Sequence, residues 1–290
     1  MIEQFLADLL TYHYLQNALV TAIVIGITAG TIGCFIVLRG LSLMGDAISH
    51  AVLPGIAVSF MLGIHFFIGA LVFGVMTSVL VTYIERNSRI KSDTSIGIAF
   101  SSFLAFGVVL IGMTRSSTDL FHILFGNVLA VQDSDKWITL IVSAAVLLTV
   151  RLLYRNLLLT SFDPLMAKAS GISVGFYHYL LMLLLTLVAV TSMQSVGTIL
   201  IVAMLITPAA TAYLYAKSLK QMIFLSAFLG ALSSVVGLAA GYMLNLSAGS
   251  SIVLTASVLF AGSFFLAPKQ KKGKTPGEPA ARLIPKESAK

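Results

Sequence analysis

From Tyr14 to Leu38 the chain reads YLQNALVTAIVIGITAGTIGCFIVL, 25 residues without a charge or a histidine. A bilayer core takes about 20 apolar residues per helix, so this run is long enough to span a membrane. Further runs free of charge and histidine cover Phe66 to Ile84, Thr94 to Thr114, Tyr179 to Ala216 and Gln221 to Pro268. Each of the last two is long enough for two spans. A polar break divides each of them, at Thr191, Ser192, Gln194 and Ser195 in one and from Asn245 to Ser251 in the other. Leu41 to Gly63 and Trp137 to Leu153 also qualify, which gives an all-α polytopic membrane protein of about nine transmembrane helices, with eight to ten admissible.

Composition supports the same class. Of 290 residues, 58% are hydrophobic and 10% charged, against about 25% charged in a soluble domain. A soluble enzyme would need more polar surface, and a disordered chain far fewer apolar residues. The single cysteine, Cys34, rules out a disulfide framework or thiolate cluster within one chain. Metal chemistry must then use oxygen or nitrogen ligands.

The net charge of +7 is informative through its placement. With the N-terminus outside, alternate loops put sixteen of the eighteen basic residues inside, among them Arg39, Arg86, Arg89, Lys91, Arg151, Arg155, Lys168, Lys217 and Lys220. Only Arg115 and Lys136 fall outside. Cytoplasmic loops retain Lys and Arg, so the expected topology is N-terminus outside and C-terminus cytoplasmic. Residues 1–268 then form the transmembrane domain. Residues 269–290, rich in Lys, Pro, Gly and Ala, form a flexible basic cytoplasmic tail within reach of membrane lipid. Met1 to His13 has no basic residue and so lacks the positive region of a cleaved signal peptide. Ser117 to Gln132, too short to span, is expected to be an interfacial or re-entrant helix on the outer side. Gly26 with Gly30, and Gly237 with Gly241, have the spacing that lets helix backbones approach.

Nearly every ionisable side chain falls at a span boundary or in a loop. Asp46 and His50, in Gly45-Asp-Ala-Ile-Ser-His-Ala-Val-Leu-Pro-Gly55, do not. If the second span enters near Leu41, Asp46 lies about 8 Å deep and His50 about 14 Å, near the middle of the core. A carboxylate there costs roughly 2.5 to 3.5 kcal/mol, so it should face the protein interior or a water-filled path. The i, i+4 spacing puts both side chains on one helix face, where carboxylate oxygen and imidazole nitrogen can converge on a divalent cation. The bland alternative is a hydrogen-bonded pair that locks two helices. Ser49 sits about 100° away around the helix, and Pro54 should open the backbone one turn later. Thr207, with Pro208 kinking its span, could line the same path, as could Gln194 and Thr198.

Enzyme motifs fail on context. Gly171-Ile-Ser-Val-Gly175 has the pattern of a nucleophile elbow but joins a loop to a membrane helix. Gly273-Lys-Thr resembles the end of a phosphate loop, with Pro268 where glycine is required. The chain is not expected to hydrolyse ATP or peptide itself. Asp163, Pro164, Leu165, Met166, Ala167, Lys168 and Gly171 mark a short cytoplasmic helix: Asp163 as N-cap, Pro164 at the first position, Gly171 past the end. Such a helix can insert into a groove on a soluble partner or simply connect two spans.

These residues resemble the membrane permease subunits of binding-protein-dependent ABC importers for manganese, zinc and iron. The resemblance covers about Leu15 to Pro268. Its marks are Gly45 to Gly55, the Asp-Pro-x-x-Ala-x-x-x-Gly segment from Asp163 to Gly171, and Val196-Gly-Thr-Ile-Leu-Ile-Val-Ala-Met-Leu-Ile-Thr-Pro-Ala-Ala-Thr211. Streptococcal-type manganese permeases look most similar. The resemblance implies a homodimer with the ion path on its two-fold axis, two ABC ATPase subunits docked on the Asp163 to Gly171 coupling helix, and an extracytoplasmic metal-binding protein above. It also implies Asp46 and His50 as pathway metal residues. No resident cofactor and no nucleic acid are implied; Mn²⁺ is the expected cargo, with Zn²⁺ the alternative, since Asp and His suit both. A proton-coupled secondary metal transporter or channel using the same pair is the reading from another class.

Overall fold

The computed structural model describes residues 2–113 and 128–267. The basic tail and residues 114–127, which hold most of the expected outer re-entrant segment Ser117 to Gln132, lie outside the described residues. Thirteen α-helices and one short 3₁₀ turn, Val128–Ala130, follow in order among the described residues, which contain no strand. A short helix, α1 (Ile2–Thr11), precedes the first span, α2 (His13–Leu38). The second span is two pieces, α3 (Leu43–Ala51) and α4 (Leu53–Leu62), followed by α5 (Phe66–Asn87) and α6 (Ser92–Met113). Helix α7 (Asp133–Leu152) bends by 71° into α8 (Tyr154–Phe162), and a single turn and a half, α9 (Pro164–Ala169), follows. Four long helices end the fold: α10 (Val174–Val196), α11 (Thr198–Tyr215), α12 (Leu219–Met243) and α13 (Ala248–Leu266). Among the described residues eight spans are long and apolar enough to cross a bilayer, or nine when the bent α7–α8 pair counts as one.

Two boundaries differ from the sequence expectation. The break in Tyr179 to Ala216 falls at Gly197, whose φ of +84° few other residues adopt. Thr191, Ser192 and Ser195, among the polar residues expected to mark it, are buried inside α10 instead. Thr191 donates to the Leu187 carbonyl, and Ser195 meets Thr139 of α7 at 3.3 Å. A hydroxyl that finds its partner on its own helix or a neighbour need not interrupt a span. The second difference is α1, a ten-residue helix that a search for 20-residue spans passes over; Tyr242 of α12 donates to its Asp8 at 3.0 Å.

Helix α2 is the centre of the fold. Lipid offers no hydrophobic drive between helices, so close backbone approach does the work. Gly26 faces Gly230 of α12, where an added Cβ would come within 2.6 Å of the Gly230 carbonyl. Ser226 and Ser234 of α12 donate to the Gly30 and Ala22 carbonyls at 2.8 Å. Gly33 meets the Leu205 carbonyl of α11. Gly237 and Gly241 pack on α13 rather than on α2.

Charged groups gather at the two ends. At one, Arg39 donates to Ser161 and Thr160, both at 3.0 Å, beside a cavity lined by Glu85, Lys91, Asp93 and His178. Burial pushes the Arg39 guanidinium down to about 10. At the other end Lys136 donates to Asn17 at 2.8 Å and to Asp133 at 2.9 Å, tying α7 to the start of α2.

Candidate functional site

Helix α3 carries Asp46 and His50 one turn apart on one face, as the spacing requires. Oδ1 of Asp46 lies 3.5 Å from Nε2 of His50, close enough to share an ion and too long for a strong hydrogen bond. Their side chains are 44% and 31% exposed, so neither is sealed in the core. Both open into a cavity of about 450 Å³ between α3, α11 and α13, whose other walls include Thr198, Val202, Ile206, Thr207 and Val253. Because both ionisable groups stand on the same helix, their contact locks no helix pair.

The local backbone explains the placement. Gly45 lets α3 sit tightly on α11, where an added Cβ would meet the Leu205 side chain at 2.8 Å. Pro54 has no N–H, which denies the His50 carbonyl its helical donor and separates α3 from α4 at Val52. Pro54 itself is buried and packs on Gly107 of α6. Ser49 does not line the cavity: it is buried and donates to the Gly45 carbonyl at 2.8 Å. Thr207 does line it, while Pro208, inside α11, is buried behind it. The side chain of Gln194 lies outside the described residues.

One residue at the site is invisible to sequence reasoning. The ring of Phe100, on α6, meets the His50 imidazole edge to face, centroids 5.3 Å apart and planes at 85°. An aromatic in an apolar span has no signal to distinguish it from lipid-facing or core residues. Among the described residues no third His, Cys, Asp or Glu joins the pair. The site therefore offers one carboxylate, one imidazole, two hydroxyl-bearing threonines and apolar walls, a few-ligand arrangement suited to passing a cation rather than caging it.

The segment expected to couple stands away from this cavity, at the end of the fold that holds Arg39. Asp163 caps α9 by accepting from the Met166 N–H at 2.8 Å, and Gly171 closes it with φ +77° and a bond from its N–H to the Lys168 carbonyl at 3.1 Å. Ala167 is fully buried beneath the helix, whereas Leu165 is 82% exposed and Met166, Pro164 and Lys168 are exposed beside it. Phe162, just before the cap, is exposed too.

Residues 11–267 match the ABC-3 family, the ABC 3 transport family. The chain is 68% identical over 274 residues to the manganese import system permease protein ScaB of Streptococcus parasanguinis, covering 94% of this chain and 98% of that one. It is 55% identical to the manganese transport system membrane protein MntC of Listeria monocytogenes, covering 92% and 95%. Among solved structures it superposes on PsaBC from Streptococcus pneumoniae, in complex with a Fab, with a TM-score of 0.85 and 68% identity, covering 93% of this chain and 98% of that one.

Proposed function

The chain belongs to the ABC 3 transport family, a multi-pass bacterial membrane family, and from that premise we propose that it is the permease subunit of an ATP-driven importer whose cargo is Mn²⁺. The observation that carries this reading is the Asp46 and His50 pair, open to an intramembrane cavity, in a chain 68% identical nearly end to end to a manganese permease. The names of relatives at 55–68% identity favour manganese over zinc. A proton-coupled secondary transporter finds no support in an ABC family.

In this reading Asp46 and His50 form a checkpoint for an ion that has shed most of its water. Two protein donors are few for a divalent cation, and a second copy of the chain across a two-fold axis would supply the symmetry-related pair. The exposed apolar turn of Leu165 and Met166, held by Asp163, Pro164, Ala167, Lys168 and Gly171, docks on an ABC ATPase, which supplies the hydrolysis this chain has no motif for. An extracytoplasmic metal-binding protein delivers the ion on the opposite face, beside the Asn17 and Lys136 end. The gathering of Arg39 and Lys91 at the α9 end supports a cytoplasmic location for that end, with the N-terminus outside.

Deleting the chain from its host and restoring it on a plasmid tests the proposal. Cellular manganese should fall on deletion and recover on restoration, with zinc unchanged, and uptake should stop when ATP is depleted with the membrane potential clamped. Loss of zinc in place of manganese, or uptake that survives ATP depletion, would contradict it.

A further inference from the structure

Hydroxyls inside these spans are mostly spent on their own helix. Thr28, Thr31, Thr77, Thr82, Thr186 and Thr191 each donate to the carbonyl four residues back. Thr211, one turn beyond Thr207, donates in the same way to the Thr207 carbonyl at 2.7 Å. Thr207 differs: among the described residues its hydroxyl makes no hydrogen bond, and the residue, half-buried, lines the cavity that holds Asp46 and His50, whereas the unpartnered hydroxyls of Thr21 and Ser95 are buried and do not line it. Thr198, the other threonine of the cavity, already has an interaction partner.

A hydroxyl in a membrane span needs a partner, and an uncommitted one at a half-buried cavity wall takes it from what enters the cavity, water or a passing ion. Its oxygen has two lone pairs to offer a cation. Carboxylate, carbonyl and water oxygens suit Mn²⁺ and other hard divalent ions, whereas imidazole suits Zn²⁺ well. With Asp46 alone, the site would hold one oxygen ligand and one nitrogen. A hydroxyl from α11 tips that set towards oxygen.

Resting on the reading of Asp46 and His50 as metal residues, we propose that Thr207 is a third donor to the ion in transit, and that its hydroxyl biases the cavity towards an oxygen-preferring divalent cation. The role is one of binding and selection, carried by a single atom. Removing the oxygen while keeping the shape is therefore the informative change.

The test uses the complete permease–ATPase complex in lipid nanodiscs without its binding protein. Mn²⁺ alone is titrated in, with the free ion followed by its electron paramagnetic resonance signal, and Zn²⁺ is then added as competitor. Thr207→Val, close to isosteric, and Thr207→Ala should each bind Mn²⁺ about fivefold more weakly, with Zn²⁺ affinity changed less than twofold. Thr207→Ser, which keeps the oxygen, should recover most of the loss. Wild-type Mn²⁺ binding by Thr207→Val, equal losses for both metals, or a serine variant as weak as valine would overturn the proposal. Asp46→Asn separates the two levels: if it loses Mn²⁺ binding while Thr207→Val does not, only the threonine fails. If Asp46→Asn binds as wild type does, the metal reading of the pair fails and this inference with it.

Discussion

His50 Nε2 and Asp46 Oδ1 stand 3.5 Å apart on one face of α3, and both open to the same intramembrane cavity. That separation leaves each group with capacity to spare. A pair serving only as a structural contact would close to ordinary hydrogen-bond distance and be shielded from the cavity. The exposure of both side chains instead leaves room for a third body between them and the facing wall of α11.

The edge contact with Phe100 should hold the His50 ring in place. Such aromatic contacts contribute about 0.5 to 1.5 kcal/mol, so Phe100→Leu is expected to reduce manganese uptake several-fold. Abundance in the membrane and ATPase association should not change, because the contact lies at the cavity and not in the α2 core. Unchanged uptake in the leucine variant would remove Phe100 from the site.

Gly33 tests the packing of α2. A side chain there runs into the Leu205 carbonyl, which is backbone and cannot swing away. Gly33→Val should destabilise the fold by about 3 kcal/mol or more and lower the amount of protein recovered from membranes. The contrasting change is Gly97→Val, since nothing surrounds a Cβ at Gly97; it should be recovered normally. Equal recovery of the two variants would contradict the close-packed account of α2.

The fold was largely legible in the sequence because a bilayer imposes a length and an apolar composition on every span. Breaks were harder. Gly197 ends α10 through its backbone conformation, which leaves no mark in hydropathy, whereas the conspicuous Thr191 and Ser195 turned out to be packing residues. Helix α1 escaped because ten residues fall below the span length. At the site, Asp46 and His50 stood out because ionisable groups are expensive in lipid. Val202, Ile206 and Val253 could not, since apolar walls look like any other part of an apolar helix. Ser49 was adjacent in sequence yet points back at Gly45, a direction set by the rotamer rather than by spacing.

Helix α9 should transmit ATPase action through shape and an apolar tip. Gly171 has φ +77°, where a side chain costs about 1 to 2 kcal/mol. Gly171→Val and Leu165→Glu should each weaken ATPase co-purification and stimulated hydrolysis, with insertion into the membrane intact. Wild-type coupling in both variants would take this segment out of the interface.

The charge distribution gives a topology that can be labelled directly. In a Cys34→Ala background, Arg89→Cys is expected to react with an impermeant maleimide only after the membrane is opened. Lys136→Cys would break the bonds to Asn17 and Asp133, so the neighbouring Ser134→Cys is the better outer reporter. Reaction of Arg89→Cys in intact cells would invert the assignment of ends.

Asp46 and His50 are expected to handle the transported ion directly. The most direct test is uptake of radioactive Mn²⁺ by proteoliposomes holding the assembled permease and ATPase, driven by ATP inside and supplied with metal-loaded binding protein outside. Asp46→Asn and His50→Ala should each bring uptake to background while the complex stays assembled, because neutralising or shortening a side chain at an open cavity wall leaves no buried charge unpaired. Wild-type uptake rates in both variants would exclude a role in ion passage and reduce the pair to a local contact on α3.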